Sequence, residues 1–138
     1  MIVNAENLIL GRMAAIVAKK ALQGEKVDLV NIEKAVVTGK PAEILQRYKQ
    51  KFQRGYTTTG PYFPKHPEKL VRRTIRGMLP YKQEKGKKAF KNIRCYIGVP
   101  EEFKGKKSET LEKANVKNIK KTKYITVKQI SQSQGWKA

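Results

Sequence analysis

Residues 1–32, MIVNAENLILGRMAAIVAKKALQGEKVDLVNI, decide the fold class. Ile2 to Ala5 reads as a short first strand. From Leu10 the apolar residues recur at Leu10, Met13, Ala14, Val17, Ala18, Ala21 and Leu22, which is the spacing of one helical face. Arg12, Lys19, Lys20 and Gln23 fall on the other side, so the helix is amphipathic and suited to packing on a sheet. Gly24 supplies a left-handed stop. Val27 to Ile32 follows as a mostly apolar, β-branched strand. Strand, helix and strand in that order within 32 residues predict a parallel βαβ unit, because parallel neighbours need a crossover of about this length. The fold class is α/β.

Beyond this unit the signals are local. Val36-Val37-Thr38 forms a short extended piece, and Pro41 suits the first position of a helix whose apolar side carries Ile44, Leu45, Tyr48 and Phe52. Residues 55–64 have no periodicity and are dense in Gly, Thr and Pro, which predicts a loop. A further helix opens at Pro67-Glu68, with Val71, Ile75, Met78 and Leu79 as its apolar face, and Gly77 and Pro80 weaken or end it. Lys82 to Lys91 is weakly helical, Ile93 to Gly98 returns to strand character, and a short helix is possible after Ser108 and Thr110. Tyr124 and Ile125 fit an edge strand, Thr126 to Gln129 fits a capping box, and Gly135 stops the last helix before Trp136. No repeat or linker interrupts residues 1–138, which read as one domain.

The charge balance points to a partner. The chain has 31 Lys and Arg against 11 Asp and Glu, a formal charge of +20, and self-repulsion of that size calls for a polyanion. The excess is uneven: residues 1–39 carry 5 basic and 4 acidic side chains, residues 40–91 carry 15 and 3, and residues 92–138 carry 11 and 4. The first third is core, and the middle third is the contact surface. Arg47, Lys49, Lys51 and Arg54 lie off the apolar side of the second helix. Lys69, Arg72, Arg73 and Arg76 follow the i, i+3, i+4, i+7 rule and form one cationic stripe. Like charges at these spacings cost an isolated helix a few tenths of a kcal/mol per pair, so the stripe needs compensation from outside the helix. Lys82, Lys85, Lys87 and Lys88 extend the basic region, and Lys65 and His66 border it. In the loop, Tyr56, Tyr62 and Phe63 have two readings, stacking on unpaired bases or anchoring the loop to the protein. Lys69, Arg72, Arg73 and Arg76 are expected to form the principal surface facing nucleic acid.

Other classes fare poorly. His66 is the sole histidine and Cys95 the sole cysteine, too few for a His/Cys metal site, and Cys95 sits in an apolar strand as an inert thiol. Gly39-Lys40 and Gly105-Lys106-Lys107-Ser108 lack the glycine spacing and the Ser or Thr that a phosphate-binding loop needs directly after its lysine. No catalytic residue, metal, cofactor or small-molecule substrate is expected. A membrane surface would accept the charge, but no segment fits the pattern of a basic amphipathic membrane helix well, and no apolar run approaches ~18 residues. A soluble, cytoplasmic protein is the expectation.

Four segments carry a family resemblance: Leu10-Gly11-Arg12-Met13-Ala14, Gly60-Pro61-Tyr62, the run from Arg73 through Thr74, Ile75, Arg76, Gly77 and Met78 to Leu79-Pro80, and Gly135-Trp136. In order and spacing the chain resembles the universal ribosomal protein family known as the thirteenth protein of the large subunit, and the lack of extensions is most similar to archaeal members. The resemblance implies a three-layer α/β/α sandwich around a small, mainly parallel four-stranded sheet. It also implies binding to large-subunit, 23S-type ribosomal RNA beside neighbouring large-subunit proteins, with a role in subunit assembly and translation. Phe63-Pro64-Lys65-His66-Pro67 and Lys128 depart from the patterns of many relatives.

Overall fold

A computed structural model describes residues 1–56, 58, 60–119 and 123–137. Strand β1 (Ile2–Asn4), helix α1 (Leu10–Leu22) and strand β2 (Val27–Val30) form the βαβ unit. Strand β3 (Val36–Thr38), helices α2 (Pro41–Gln53), α3 (Pro67–Gly77) and α4 (Glu84–Lys91), strands β4 (Ile93–Cys95) and β5 (Tyr124–Thr126) and helix α5 (Val127–Ser133) follow. The sheet order is β1-β2-β4, all parallel, and β3 pairs antiparallel with β5 as a separate two-stranded ribbon.

Register explains the position of the core. Val3 lies beside Leu29 and Leu29 beside Cys95, while Val27 lies beside Ile93, so these residues share one face. Val3, Val27, Leu29 and Ile93 are fully buried there. The other face carries Ile2, Asn4 and Asp28, half-buried, and Arg94, exposed. On the core side, α1 buries Leu10, Met13, Ala14, Val17, Ala18 and Ala21. Three of these six are alanines, which occupy little space, and α3 and α4 both pack on α1.

The expected four strands resolve differently. Among the described residues the parallel sheet has three strands, and a single bridge extends it beyond β1, where Asn4 N–H donates to the Glu109 carbonyl (2.9 Å) and Glu109 N–H to that of Ile2 (2.8 Å). Against the far face, Tyr96 and Phe103 pack edge-on at 5.4 Å in an irregular segment holding one 3-10 turn, Glu101–Phe103, where a helical layer was expected.

Element ends differ for local reasons. β2 stops at Val30 because Asn31 takes a left-handed φ of 55°, which asparagine tolerates, and its N–H donates to the Gly98 carbonyl. α3 ends at Gly77, so Met78 leaves the predicted apolar face and is 43% exposed, and Leu70 is buried instead. After Thr110 there are two 3-10 turns, Glu112–Ala114 and Val116–Asn118. The Thr126–Gln129 capping box forms with both bonds, and the Trp136 N–H closes the last helix onto the Ser131 carbonyl past Gly135 at φ 96°.

Gly86 holds α4 against the turn that follows α3, because a Cβ there would overlap the Pro80 carbonyl. In an ordinary helix Gly→Ala stabilises by about 1 kcal/mol. Gly86→Ala is expected to invert that sign and to lower unfolding free energy by roughly 1–3 kcal/mol, the cost of overpacking. Urea unfolding measures it, and a stabilised variant would show that α4 sits looser than the structure has it.

Candidate nucleic-acid interface

The middle third folds so that its apolar residues vanish and its cations stay outside. α2 buries Ile44 and Tyr48 and half-buries Leu45 and Phe52, leaving Arg47, Lys49, Lys51 and Arg54 exposed. Burial raises the Tyr48 phenol above its usual range, and the nearby Arg47 charge opposes the shift. Lys51 Nζ lies 5.0 Å from the centre of the Tyr48 ring and 5.7 Å from that of Phe63.

In the loop the three aromatics separate. Phe63 turns inward and meets Phe52 edge-on at 5.0 Å and Tyr48 at 6.2 Å, so it anchors the loop. Tyr56 and Tyr62 stay outside, 78% and 65% exposed. Mutual backbone bonds join Tyr56 and Gly60 across the turn. Thr57 and Thr59, part of the predicted loop, lie outside the described residues.

The α3 stripe fans out. Lys69 is exposed, whereas each of the three arginines is half-buried with its guanidinium over an aromatic ring: Arg72 over Phe90 (4.0 Å), Arg73 over Phe63 (4.9 Å) and Arg76 over Tyr81 (5.0 Å). Arg72 also donates to two backbone carbonyls, from Nε to Ile93 (3.3 Å) and from Nη2 to Phe90 (3.2 Å), and so ties α3 to the junction of α4 and β4. Arg73 Nη1 donates to the Tyr62 carbonyl (3.0 Å), fixing the loop to the helix. Rings and carbonyls thus offset much of the like-charge repulsion within the stripe, and they do so without removing positive charge. Phe90 and Tyr81 were not visible as partners in the sequence, since such pairs depend on where separate elements meet.

Of the three acids of the region, Glu43 is exposed, Glu68 is turned partly inward and Glu84 is paired. Glu68 Oε1 faces His66 Nδ1 at 3.8 Å, and its Oε2 is buried with no hydrogen-bond partner among the described residues. Burial pushes the Cys95 thiol up to about 12, with Arg72 opposing the shift and Glu68 adding to it. The thiol therefore stays protonated and unreactive at neutral pH. Glu84 pairs with Lys88 at 3.4 Å in the open, a contact of little energetic weight. Lys65, His66, Lys82, Lys85 and Lys87 are exposed. Lys51, Arg54 and Arg73 come together around Phe63, whereas Lys85, Lys87 and Lys88 stand on a different helix, α4. Among the described residues no group of three His, Cys, Asp or Glu could hold a metal ion, and no helix is long and apolar enough to cross a membrane.

Residues 1–102 match the family model for ribosomal protein L13. The chain belongs to the ribosomal protein L13 family. Its L13 relatives include large ribosomal subunit protein uL13 of Methanosarcina barkeri, 44% identical over 137 residues that cover 99% of this chain and 98% of that one. The uL13 of Archaeoglobus fulgidus is 43% identical over 99% of this chain and 88% of its own length, and that of Haloarcula marismortui 38% over 98% and 90%. The L13 match spans β1 through β4 and so includes every cation of the middle third.

Arg72→Gln is expected to cost roughly 1.5–3 kcal/mol of unfolding free energy, since it leaves two inward carbonyls without a charged donor. Lys69→Gln, one turn away and exposed, is expected to leave the denaturation midpoint unchanged. Equal midpoints for the two variants in urea would contradict the bracing role of Arg72.

Proposed function

We propose that the protein is a structural constituent of the large ribosomal subunit that binds large-subunit, 23S-type ribosomal RNA and supports subunit assembly and translation. Family membership supports a structural role without catalysis, cofactor or small-molecule substrate. Residues 1–138 act as one RNA-binding domain of the cytoplasmic ribosome, in contact with neighbouring large-subunit proteins. The finer architecture belongs to the same reading, a three-layer α/β/α sandwich around a four-stranded sheet, and the single bridge from Val3 to Glu109 supports a fourth strand beside β1.

One observation carries the assignment of the surface. Of the fifteen Lys and Arg side chains in residues 40–91, Lys88 alone has a carboxylate within ion-pair distance among the described residues. A solvated face that served solubility alone would intersperse both signs. The RNA-binding set is Arg47, Lys49, Lys51, Arg54, Tyr56, Tyr62, Lys65, His66, Lys69, Arg73, Arg76, Lys82, Lys85, Lys87 and Lys88, with Arg72 as both contact and brace.

Neutralising phosphates releases counterions, so affinity for large-subunit RNA falls steeply with salt. Replacing Arg47, Lys49, Lys65 and Lys69 by Gln is expected to leave thermal unfolding unchanged and to lower the slope of log affinity against log salt by up to about 0.7–0.9 per lost contact. A wild-type slope indistinguishable from zero would overturn RNA binding, and an unchanged slope in the variant would move the contact surface elsewhere.

A further inference from the structure

A cavity of about 310 Å³ lies between the C-terminal end of α2, the loop and α3, lined by Lys51, Arg54, Pro61, Phe63 and Arg73. We propose that this cavity takes one unpaired nucleotide of the bound RNA, its phosphate on the three cations and its base against the wall formed by Phe63, Pro61 and the Arg73 guanidinium. The proposal rests on the RNA-binding reading above and specifies what that surface recognises.

Size and shape exclude a duplex. The volume stands at the small end of ligand sites, enough for a single small group in a concave setting, whereas an A-form helix presents its phosphates along a convex edge. The chemistry is two-sided. Three positive side chains meet in a lining without a carboxylate, so the cavity is electropositive and suited to an anion. The remaining lining is a proline and a phenylalanine, which offer a phosphate nothing and a base an apolar, sequence-tolerant surface. Arginine adds a planar stacking face of its own.

The site is also held in place before anything binds. Phe63 is clamped edge-on by Phe52 and Tyr48, and Arg73 by the Tyr62 carbonyl. Gly55, at φ 88°, lets the chain pass so close to Gly60 that a Cβ would overlap the Gly60 carbonyl. Pro61, next in the chain, is thereby set at the rim. The Arg54 backbone N–H closes α2 onto the Gln50 carbonyl, whereas its exposed guanidinium makes no hydrogen bond, ion pair or ring contact among the described residues, so its charge is available.

The test uses the full chain and three probes: a single-stranded RNA hexanucleotide, a fully paired RNA hairpin stem, and inorganic phosphate. Arg54→Gln is compared with Lys104→Gln, which removes the same charge from an exposed position outside the cavity. Arg54→Gln is expected to weaken hexanucleotide binding about tenfold, the loss of one charge-assisted contact, and stem binding no more than Lys104→Gln does. In the wild type, the Phe63 ring protons are expected to shift upfield with the hexanucleotide and to stay in place with phosphate. Equal weakening for hexanucleotide and stem, or an unmoved Phe63 ring, overturns the nucleotide site while large-subunit RNA still binds. Failure of the wild type to bind large-subunit RNA at all overturns the parent reading instead.

Discussion

Helix α3 must satisfy two opposed demands, and much of the molecule is arranged around how it does so. It buries Leu70, Val71 and Ile75 against its neighbours, while its other side carries four cations within two turns. Repulsion within that stripe is not relieved by acids, since Glu68 points partly inward and among the described residues forms an ion pair with His66 alone. Relief comes from three aromatic rings contributed by the loop, the turn after α3 and α4, and from backbone carbonyls. Phe63 and Phe90 therefore do double duty, as packing and as a seat for a guanidinium, whereas the exposed Tyr81 serves only as a seat. Because neither a ring nor a carbonyl cancels charge, the field outside the helix remains positive, and a polyanion is the missing counterpart.

This division separates two kinds of arginine. Arg72, with two carbonyls and the Phe90 face, works mainly inward, and its removal strikes stability before affinity. Arg73 stands between, fixing the loop through one donor and keeping four others for a ligand. The lysines of the middle third are exposed, and Lys51 keeps its ammonium at the surface while lying over the rings of Tyr48 and Phe63.

Much of the fold was legible because its signals are local. The βαβ unit followed from a change of period between Ala5 and Val27, and the helix limits from single residues such as Gly24, Pro41 and Gly135. The Thr126–Gln129 box formed as its spacing required. What escaped depends on contacts distant in sequence. The Glu109 bridge arises in a lysine-rich stretch without alternation, so nothing local marks it, and Met78 faces solvent because α3 ends one residue before it. The site divides in the same way. Which residues are cationic and on which helix was readable, but the choice of Phe63 as anchor over Tyr56 and Tyr62 was set by Tyr48 and Phe52 meeting it from α2.

The central claim, that the carboxylate-free cations of the middle third face RNA, is tested most directly by amine acylation of free and RNA-bound protein, read residue by residue by mass spectrometry. Lys65, Lys69, Lys82, Lys85 and Lys87 are expected to react in the free protein and to be protected on large-subunit RNA, while Lys19 and Lys26 on the nearly neutral first third keep their reactivity. Protection of Lys19 and Lys26 with the middle third left reactive would contradict it.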